Sequence, residues 1–123
     1  IYRKNFSSDL KPIVINNHLF ILTKNNFLIS LDLTNGEYVY SYNLNQKIAD
    51  FLNIKKRNAQ YKNMMILNNK IFIFLKNSYI LKLKTNGEIE NILKFPSKIK
   101  TSPIVANSSI LFLSSRNRLN IIN

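Results

Sequence analysis

The side chains that could act as acids, bases or metal ligands are few and widely separated in this sequence. Among 123 residues there are six acidic residues, no cysteine and one histidine, His18. The sequence predicts His18 to lie in an Asn-rich turn between two strands, and no residue pairs with it in sequence as a general acid–base pair would require. Asp50, Glu88 and Glu90 do not have the spacing of metal ligands. We therefore predict that the chain is not an enzyme, with no catalytic residue, no metal site and no cofactor.

Basic residues are in large excess, and the formal net charge is +12 at pH 7. A charge of this size can indicate nucleic acid, an anionic membrane or an acidic partner. It can also be compositional, since the chain is rich in Lys, Asn, Ile, Phe and Tyr, whose codons are AT-rich. The one tight basic run is Lys55-Lys56-Arg57, which we predict to lie in a loop that could contact a partner protein.

The absence of cysteine excludes disulfides and thiolate metal sites, and it leaves the cellular compartment open. The first residues, IYRKNFSSDL, do not form a signal peptide because they contain no long apolar run. No stretch approaches the ~18 apolar residues of a membrane-spanning helix. We therefore predict no transmembrane segment.

Two segments of the chain repeat almost the same pattern, and a third begins it again. They are NNHLFILTKNNFLISLDLTNGE, NNKIFIFLKNSYILKLKTNGE and NSSILFLSSRNRLNIIN, which start at Asn16, Asn68 and Asn107. A period near 40 residues, with an insertion in the first copy, is typical of β-propellers.

Alternating apolar residues between turn signals predict four short strands in each complete copy. The strands predicted for the first copy are 13–15, 19–23, 27–33 and 37–43. Those for the second are 65–67, 71–75, 79–83 and 88–94, and the third copy contributes 104–106, 110–114 and 119–122. The Asn35-Gly36 and Asn86-Gly87 pairs predict type I′ hairpin turns, in which both central residues need positive φ. The second strand of each copy is apolar on both faces, which predicts sheets stacked on both sides.

The insertion, residues 45–62, separates the first copy from the second. Ile48, Phe51, Leu52 and Lys55 could share one face of a helix, so we predict a short helix over 48–54. The alternative is an ordered surface loop.

The segment SLDLTNGEYVY, residues 30–40, resembles the repeat of the PQQ-like β-propeller family, whose pattern is roughly A-x-D-x-x-T-G-x-x-x-W. Asp32 and Gly36 match this pattern, while Ser30, Asn35 and Tyr40 replace the small residue, the Thr and the Trp. The second copy keeps Asn86 and Gly87 but has Lys82 or Lys84 at the Asp position. Its Trp position falls near Asn91, so the Trp-docking ring of the family is weak or absent here. We expect these motif residues to have structural roles.

Degenerate repeats of this kind are most similar to the outer-membrane-protein assembly lipoprotein of the BamB type, a non-enzymatic propeller. The resemblance implies a protein-binding scaffold at the periplasmic face of the outer membrane, with the barrel-assembly machinery as its partner. Quinoprotein dehydrogenases share the repeat, but their quinone site uses a large ring, an adjacent Cys pair and calcium. A fragment of such an enzyme is one alternative. A basic nucleic-acid-binding β domain is the other, since Tyr and Phe interleave with Lys.

The pattern predicts an all-β fold, a partial β-propeller of about three four-stranded antiparallel blades. We divide it into an outer strand of a preceding blade (1–10), a blade (11–44), the insertion (45–62), a second blade (63–98) and an incomplete last blade (99–123). The resemblance suggests the C-terminal piece of a larger propeller. Because known propellers have about four to eight blades, we expect an isolated chain either to pair as a dimer that completes a ring or to aggregate.

Overall fold

The structure, a computed structural model, describes residues 3–56, 58–95 and 98–123. Within these ranges the chain forms eleven β-strands and one α-helix. They are distributed over two compact units, Ile1–Asn58 and Ala59–Asn123. The prediction of an all-β fold is confirmed, and so is the presence of a short helix in the insertion.

The first unit contains a four-stranded antiparallel sheet followed by a helix. The strands are β1 (Ile13–Ile15), β2 (His18–Leu22), β3 (Phe27–Asp32) and β4 (Tyr38–Asn43), hydrogen-bonded in chain order, and the helix is α1 (Leu44–Leu52). Strands β2 and β3 bury apolar residues on both faces, which the sequence predicts for β2. Phe20 and Leu28 on one face and Ile21 and Ile29 on the other are all buried.

The second unit contains a four-stranded and a three-stranded antiparallel sheet. The strands of the first are β5 (Tyr61–Leu67), β6 (Lys70–Leu75), β7 (Tyr79–Leu83) and β8 (Ile89–Lys94), and those of the second are β9 (Ile104–Ala106), β10 (Ser109–Leu113) and β11 (Leu119–Ile122). Both sheets are meanders in chain order. Strand β5 begins at Tyr61, so the last two residues of the predicted insertion belong to the sheet instead. It extends this far because a bulge accommodates the extra residue between Tyr61 and Asn63.

The two sheets of the second unit pack face to face around a cluster of aromatic rings. Phe74 on β6 meets Phe112 on β10 edge to face, with ring centroids 5.7 Å apart, and Phe95 contacts Phe112 in the same way at 5.1 Å. The buried residues of this core are Leu67, Phe72, Phe74, Ile80, Ile99, Ile110 and Phe112. Each sheet therefore covers an apolar face of its neighbour, as strands with apolar residues on both faces require.

Asparagine supplies the unusual backbone conformations of the hairpins. The pair Asn16 and Asn17, between β1 and β2, has φ of 46° and 56°, and Asn68 and Asn69 have φ of 51° and 58°. Both central residues of a type I′ turn need positive φ, and Asn tolerates it better than other non-Gly residues. These pairs, rather than the Asn-Gly pairs, are the two-residue hairpin turns.

The prediction of type I′ turns at the Asn-Gly pairs is wrong. Only the glycines, Gly36 and Gly87, have positive φ there, at 73° and 91°. The reason is the length of the connection: the Asp32 N–H donates to the Glu37 carbonyl at 2.9 Å, which closes a loop of four residues instead of two.

Both four-stranded sheets carry a β-bulge at the same place in the repeat. Val39 is the extra residue in β4, and Glu90 is the extra residue in β8. Bulges bend a strand and increase its local twist. The shared bulge shows that the two copies keep one backbone geometry although their side chains differ there.

Helix α1 begins four residues and ends two residues earlier than predicted, because asparagines cap both of its ends. The side chain of Asn43 accepts a hydrogen bond from the Gln46 N–H at 3.1 Å, and Asn53 ends the helix in the left-handed conformation with φ of 55°. The predicted inward face is wrong as well. The buried residues are Leu44, Asn45 and Ala49, whereas the side chains of Phe51 and Leu52 are exposed.

Residues 3–10 form no strand, although the sequence predicts an outer strand over 1–10. A strand needs a hydrogen-bonded partner, and the bonds of this segment go instead to the end of β2 in the first sheet. The Ser7 carbonyl accepts from the Lys24 N–H at 2.7 Å, and the Ser8 hydroxyl donates to the Leu22 carbonyl at 2.6 Å. Phe6 packs against the apolar face that Ile21, Ile29 and Leu31 form. Residues 1 and 2 lie outside the described residues.

Candidate functional site

Asp32 ends β3 and organises the loop that follows it. Its carboxylate Oδ1 accepts a hydrogen bond from the Thr34 N–H at 2.9 Å and another from the Thr34 hydroxyl. Across the sheet it pairs with His18, the first residue of β2. The two Thr34 hydrogen bonds, and to a smaller extent the His18 charge, lower the pKa of the Asp32 carboxyl. Sequence spacing cannot show this His–Asp proximity, because it depends on the β2–β3 register.

The other motif residues lie in equivalent loops of the two copies. The Asn35 side chain accepts from the Glu37 N–H at 2.9 Å, and the Asn86 side chain accepts from the Glu88 N–H at 3.0 Å. Such bonds form Asx turns that fix the loop before the outer strand begins. Gly36 precedes β4 and Gly87 precedes β8 in these loops.

Tyr40 lies on β4 and belongs to a small aromatic group. Its ring stacks on Tyr42 with centroids 5.6 Å apart and planes inclined by 13°, and it lies 6.4 Å from Phe20. Burial raises the pKa of Tyr40 above its usual value. The tyrosine hydroxyl therefore stays protonated at neutral pH, and the group acts as an aromatic surface rather than an acid.

The predicted partner loop follows helix α1. Lys55 and Lys56 are exposed, and Arg57 lies outside the described residues. Neither lysine takes part in a salt bridge of the described chain.

The outer strand β4 forms one edge of the first sheet and contains no charged residue. Its sequence is YVYSYN, and the side chains of Tyr38 and Val39 are 53% and 52% exposed. The Lys4 ammonium lies over the Tyr38 ring at 4.7 Å from its centroid, and the Lys47 ammonium lies over Tyr42 at 5.1 Å. An edge strand presents unpaired backbone N–H and C=O groups that another strand can bind. We call this strand, Tyr38–Asn43, the β4 edge.

The outer strand β8 holds the equivalent position in the second copy and differs in charge. Its bulge residue Glu90 lies 3.2 Å from the Lys70 ammonium and 3.3 Å from that of Lys82. Hydrogen bonds from these two lysines lower the pKa of Glu90. Charged side chains on an edge oppose pairing with another strand, so β8 is protected in a way that β4 is not.

Apolar surface is also exposed on the third sheet and in the first unit. Ile104, Leu119 and Ile121 on one face of the third sheet are 59%, 61% and 58% exposed. In the first unit, clefts of about 510 and 290 Å³ border Phe6. Exposed apolar patches of this kind commonly mark interaction sites.

Within the described residues, no three His, Cys, Asp or Glu side chains come close enough to hold a metal ion. The chain also lacks the cysteine pair of the quinone site that the sequence resemblance implies. The residues present therefore do not fit a quinone and calcium site of that type. No helix in the described part of the chain is both long and apolar enough to cross a membrane.

Structural comparison identifies propellers, whereas no protein-family profile and no curated protein sequence matches the chain. The crystal structure of BamB from Moraxella catarrhalis is similar over 94% of this chain and 32% of its own, with a TM-score of 0.68 and 15% identity. The WD40 β-propeller domain of Doa1 matches 90% of this chain and 34% of its own, with a TM-score of 0.59 and 16% identity. The quinohemoprotein alcohol dehydrogenase from Comamonas testosteroni matches 87% of this chain and 17% of its own, with a TM-score of 0.56 and 11% identity.

The chain has a partial β-propeller fold, with antiparallel sheets of four, four and three strands. It spans about a third of the length of the BamB and Doa1 structures. Identities of this size show the fold alone, and the fold is shared by a dehydrogenase. Function must therefore be argued from surfaces rather than from the likeness.

Proposed function

We propose that this chain is a non-enzymatic protein-docking scaffold, and that an extended segment of a partner adds to its first sheet at the β4 edge. The observation that carries the proposal is the contrast between the two outer strands. β4 is uncharged and half exposed at Tyr38 and Val39, whereas β8 carries the ion-paired Glu90 at the same bulge. An edge without charges accepts strand addition more readily.

The geometry of β4 suggests how a partner strand would sit. The bulge at Val39 interrupts the ladder, so regular pairing is available from Tyr40 to Asn43. The stacked pair of Tyr40 and Tyr42 is held in place on one side of this stretch. Cross-strand aromatic pairs contribute roughly 0.2–1 kcal/mol each, and the backbone hydrogen bonds supply affinity that depends little on sequence. Alternate side chains of the partner would contact the tyrosines and set its register.

A random dodecapeptide phage library, panned against the whole chain, tests the proposal. Enriched peptides should show apolar or aromatic residues at alternate positions, as an added strand requires. Their binding should fall by about tenfold or more in Val39→Glu, because a charge on the edge opposes strand addition. The matched control is Asn91→Glu, which adds the same charge to β8 and should leave binding unchanged.

The outcome opposed to the proposal is equally concrete. Enriched peptides that bind Val39→Glu as tightly as the unaltered chain, or lose binding equally in Asn91→Glu, would place the docking surface elsewhere. Circular dichroism of both variants shows whether the sheets are intact.

A more specific role follows from the sequence resemblance and is supported by the structural likeness to BamB. In this version the chain acts in outer-membrane-protein assembly at the periplasmic face, and its partner is the barrel-assembly machinery. Calorimetric titration with the purified periplasmic repeat domains of the barrel-assembly protein tests it. Heat of binding that disappears in Val39→Glu supports the role, and no binding by the folded chain rejects it while leaving the general scaffold proposal intact.

The open apolar faces support association with a second copy. Inside the second unit, Phe74 and Phe112 bury the face that one sheet offers its neighbour. The outward face of the third sheet offers Ile104, Leu119 and Ile121 without such cover in the isolated chain. Burying a large apolar side chain contributes about 1.5–3 kcal/mol, so covering these faces favours a dimer that completes a ring. Sedimentation equilibrium should give a dimer, and a soluble folded monomer at high concentration contradicts this part of the proposal.

Nucleic-acid binding is the second candidate function, and the net charge of +12 is the observation that favours it. Anisotropy titrations with single- and double-stranded DNA at two salt concentrations test it. Steeply salt-dependent binding supports this candidate, because bound phosphates release counterions. Absence of binding leaves the scaffold proposal in place.

A further inference from the structure

One end of the second unit is lined by cations that lie far apart in the sequence. The β6–β7 turn and the end of β8 share one end of their sheet, because its strands alternate in direction. The contacts of Phe74 and Phe95 with Phe112 bring the end of β10, and with it the β10–β11 turn, to the same end. Six exposed basic residues lie there: Lys76, Lys94, Lys98, Lys100, Arg116 and Arg118. We call these six residues the basic rim.

Hydrogen bonds fix the centre of the basic rim. The Ser115 N–H donates to the Lys98 carbonyl at 2.7 Å, and the Lys100 ammonium donates to the Asn117 side chain at 2.9 Å. The Lys100 N–H also donates to the Leu113 carbonyl at 2.8 Å. The segment carrying Lys98 and Lys100 therefore lies alongside the turn carrying the two arginines. This arrangement presents four cations on a fixed backbone.

The acidic residues of the second unit lie at its opposite end. Glu90 lies 3.2 Å from the Lys70 ammonium and 3.3 Å from that of Lys82, and Glu88 lies 3.9 Å from that of Lys84. No residue of the basic rim forms a salt bridge with any described part of the chain. The positive potential of the basic rim is therefore not neutralised internally, and it can attract and orient an anionic partner.

We infer that the basic rim binds an Asp- and Glu-rich polypeptide segment of a protein partner. This inference rests on the proposed scaffold function and adds a second surface with a defined chemistry. At the opposite end, Glu90 already pairs with Lys70 and Lys82 on the two inner strands of the sheet. The carboxylates of an acidic segment would pair with the cations of the basic rim in the same way.

An acidic peptide fits the basic rim better than single-stranded nucleic acid does, because Tyr79 and Phe95 at this end already contact other side chains. The Lys94 ammonium lies over the Tyr79 ring at 5.6 Å, and Phe95 packs edge to face on Phe112. Single-strand binding surfaces need exposed rings on which bases can stack. The basic rim offers charge without such a stacking surface.

Fluorescence anisotropy with a labelled twelve-residue peptide of alternating Glu and Ser tests the inference. The rim variant is Lys100→Glu/Arg116→Glu/Arg118→Glu, and the matched variant is Arg3→Glu/Lys11→Glu/Lys24→Glu. Three charge reversals take the formal net charge from +12 to +6 in both, and all six residues are exposed. The rim variant should bind about tenfold or more weakly, whereas the matched variant should change by about twofold or less, because local complementarity exceeds screened long-range attraction.

Three results would overturn the inference. Equal weakening in both triple variants means that total charge alone attracts the peptide. Unchanged binding in the rim variant places the acidic segment elsewhere. A duplex DNA of equal charge that binds the intact chain more tightly than the peptide, and loses binding in the rim variant, makes the basic rim a nucleic-acid surface.

The failure of this inference can be separated from failure of the scaffold proposal. Val39→Glu should leave the acidic peptide bound, and the rim variant should leave the phage-selected peptides bound. If the rim variant does not fold by circular dichroism, the Lys100→Gln/Arg116→Gln/Arg118→Gln variant replaces it, with the Gln forms of the matched residues as control.

Discussion

The outer strands β4 and β8 occupy the same position in two copies of one repeat, yet they present different chemistry. Both follow an Asn-Gly loop, and both carry one extra residue at the same step of the ladder. In β4 that residue is Val39, which is 52% exposed, and in β8 it is Glu90, which contacts two lysines.

This difference shows which part of the repeat is fixed by folding and which part is free to vary. Buried positions and positive-φ turns must be kept, because each sheet depends on them for its core and hairpins. The edge residues make few contacts inside the sheet and can be charged or apolar without changing it. An uncharged edge in one copy and a charged edge in the other therefore points to a surface property, which we assign to docking.

The largest expected effect tests whether the two copies have equivalent cores. Leu28 and Ile80 occupy the same repeat position and are both fully buried. Leu28→Ala and Ile80→Ala should each lower the free energy of unfolding by about 2–5 kcal/mol, because each leaves a cavity. Urea unfolding followed by circular dichroism measures the loss. A near-neutral result at one position would show that the two copies differ inside as well as at their edges.

Exchanging the bulge residues between the two edges tests the docking assignment directly. Glu90→Val removes the charge from β8 and should create a second edge that binds the phage-selected peptides, within about tenfold of the β4 affinity. Val39→Glu should weaken peptide binding at the β4 edge. The double variant Val39→Glu/Glu90→Val, titrated with the same peptides, should then bind them at β8 alone. If neither substitution changes the peptide affinity, the proposed difference in docking between the two strands is wrong.

Much of the fold follows from the sequence, because strand period and turn residues are local signals. The bounds of β1, β7, β9 and β11 match the prediction, and the three copies are confirmed as three sheets. The predictions that are wrong concern places where two local signals compete. Asn43 caps α1, which therefore begins at Leu44, four residues before the predicted start, and the Asn35-Gly36 pair lies in a longer loop than its dipeptide suggests.

The candidate surfaces were less predictable, since they depend on which strands become neighbours. The run Lys55-Lys56-Arg57 is visible in the sequence, but the basic rim joins residues from two sheets and from the segment between β8 and β9. The pairing of Glu90 with Lys70 also spans the sheet. The aromatic character of β4 is visible as YVYSYN, but its position at an edge is not.

A smaller effect concerns the position where the first copy has Ser30 and the second has Lys82. The Ser30 hydroxyl is buried and has no hydrogen-bond partner in the structure. Leaving a polar group buried without a partner is destabilising, so Ser30→Ala should raise the free energy of unfolding by about 1 kcal/mol. Thermal unfolding measures the change. A loss of stability of similar size would mean that the hydroxyl is bonded in solution.

The smallest effect is the pH dependence contributed by Glu90. Because Lys70 and Lys82 lower its pKa in the folded chain, the ionised form stabilises the fold above the ordinary Glu pKa of 4.5. This contribution is lost as the pH falls through the lowered, folded pKa. Glu90→Gln should therefore be slightly less stable than the unaltered chain at pH 7 and equally stable in strong acid. In a Lys70→Met/Lys82→Met background the same substitution should have no such pH dependence, and a difference that persists there contradicts the assignment.

Amide hydrogen exchange of the whole chain, with and without a phage-selected peptide, tests the central claim most directly. Strand addition gives new partners to backbone N–H groups on the edge, so exchange should slow within Tyr40–Asn43 and stay unchanged in Ile89–Lys94. Slowing confined to β8, or slowing spread equally over both outer strands, would contradict a scaffold that docks its partner at the β4 edge.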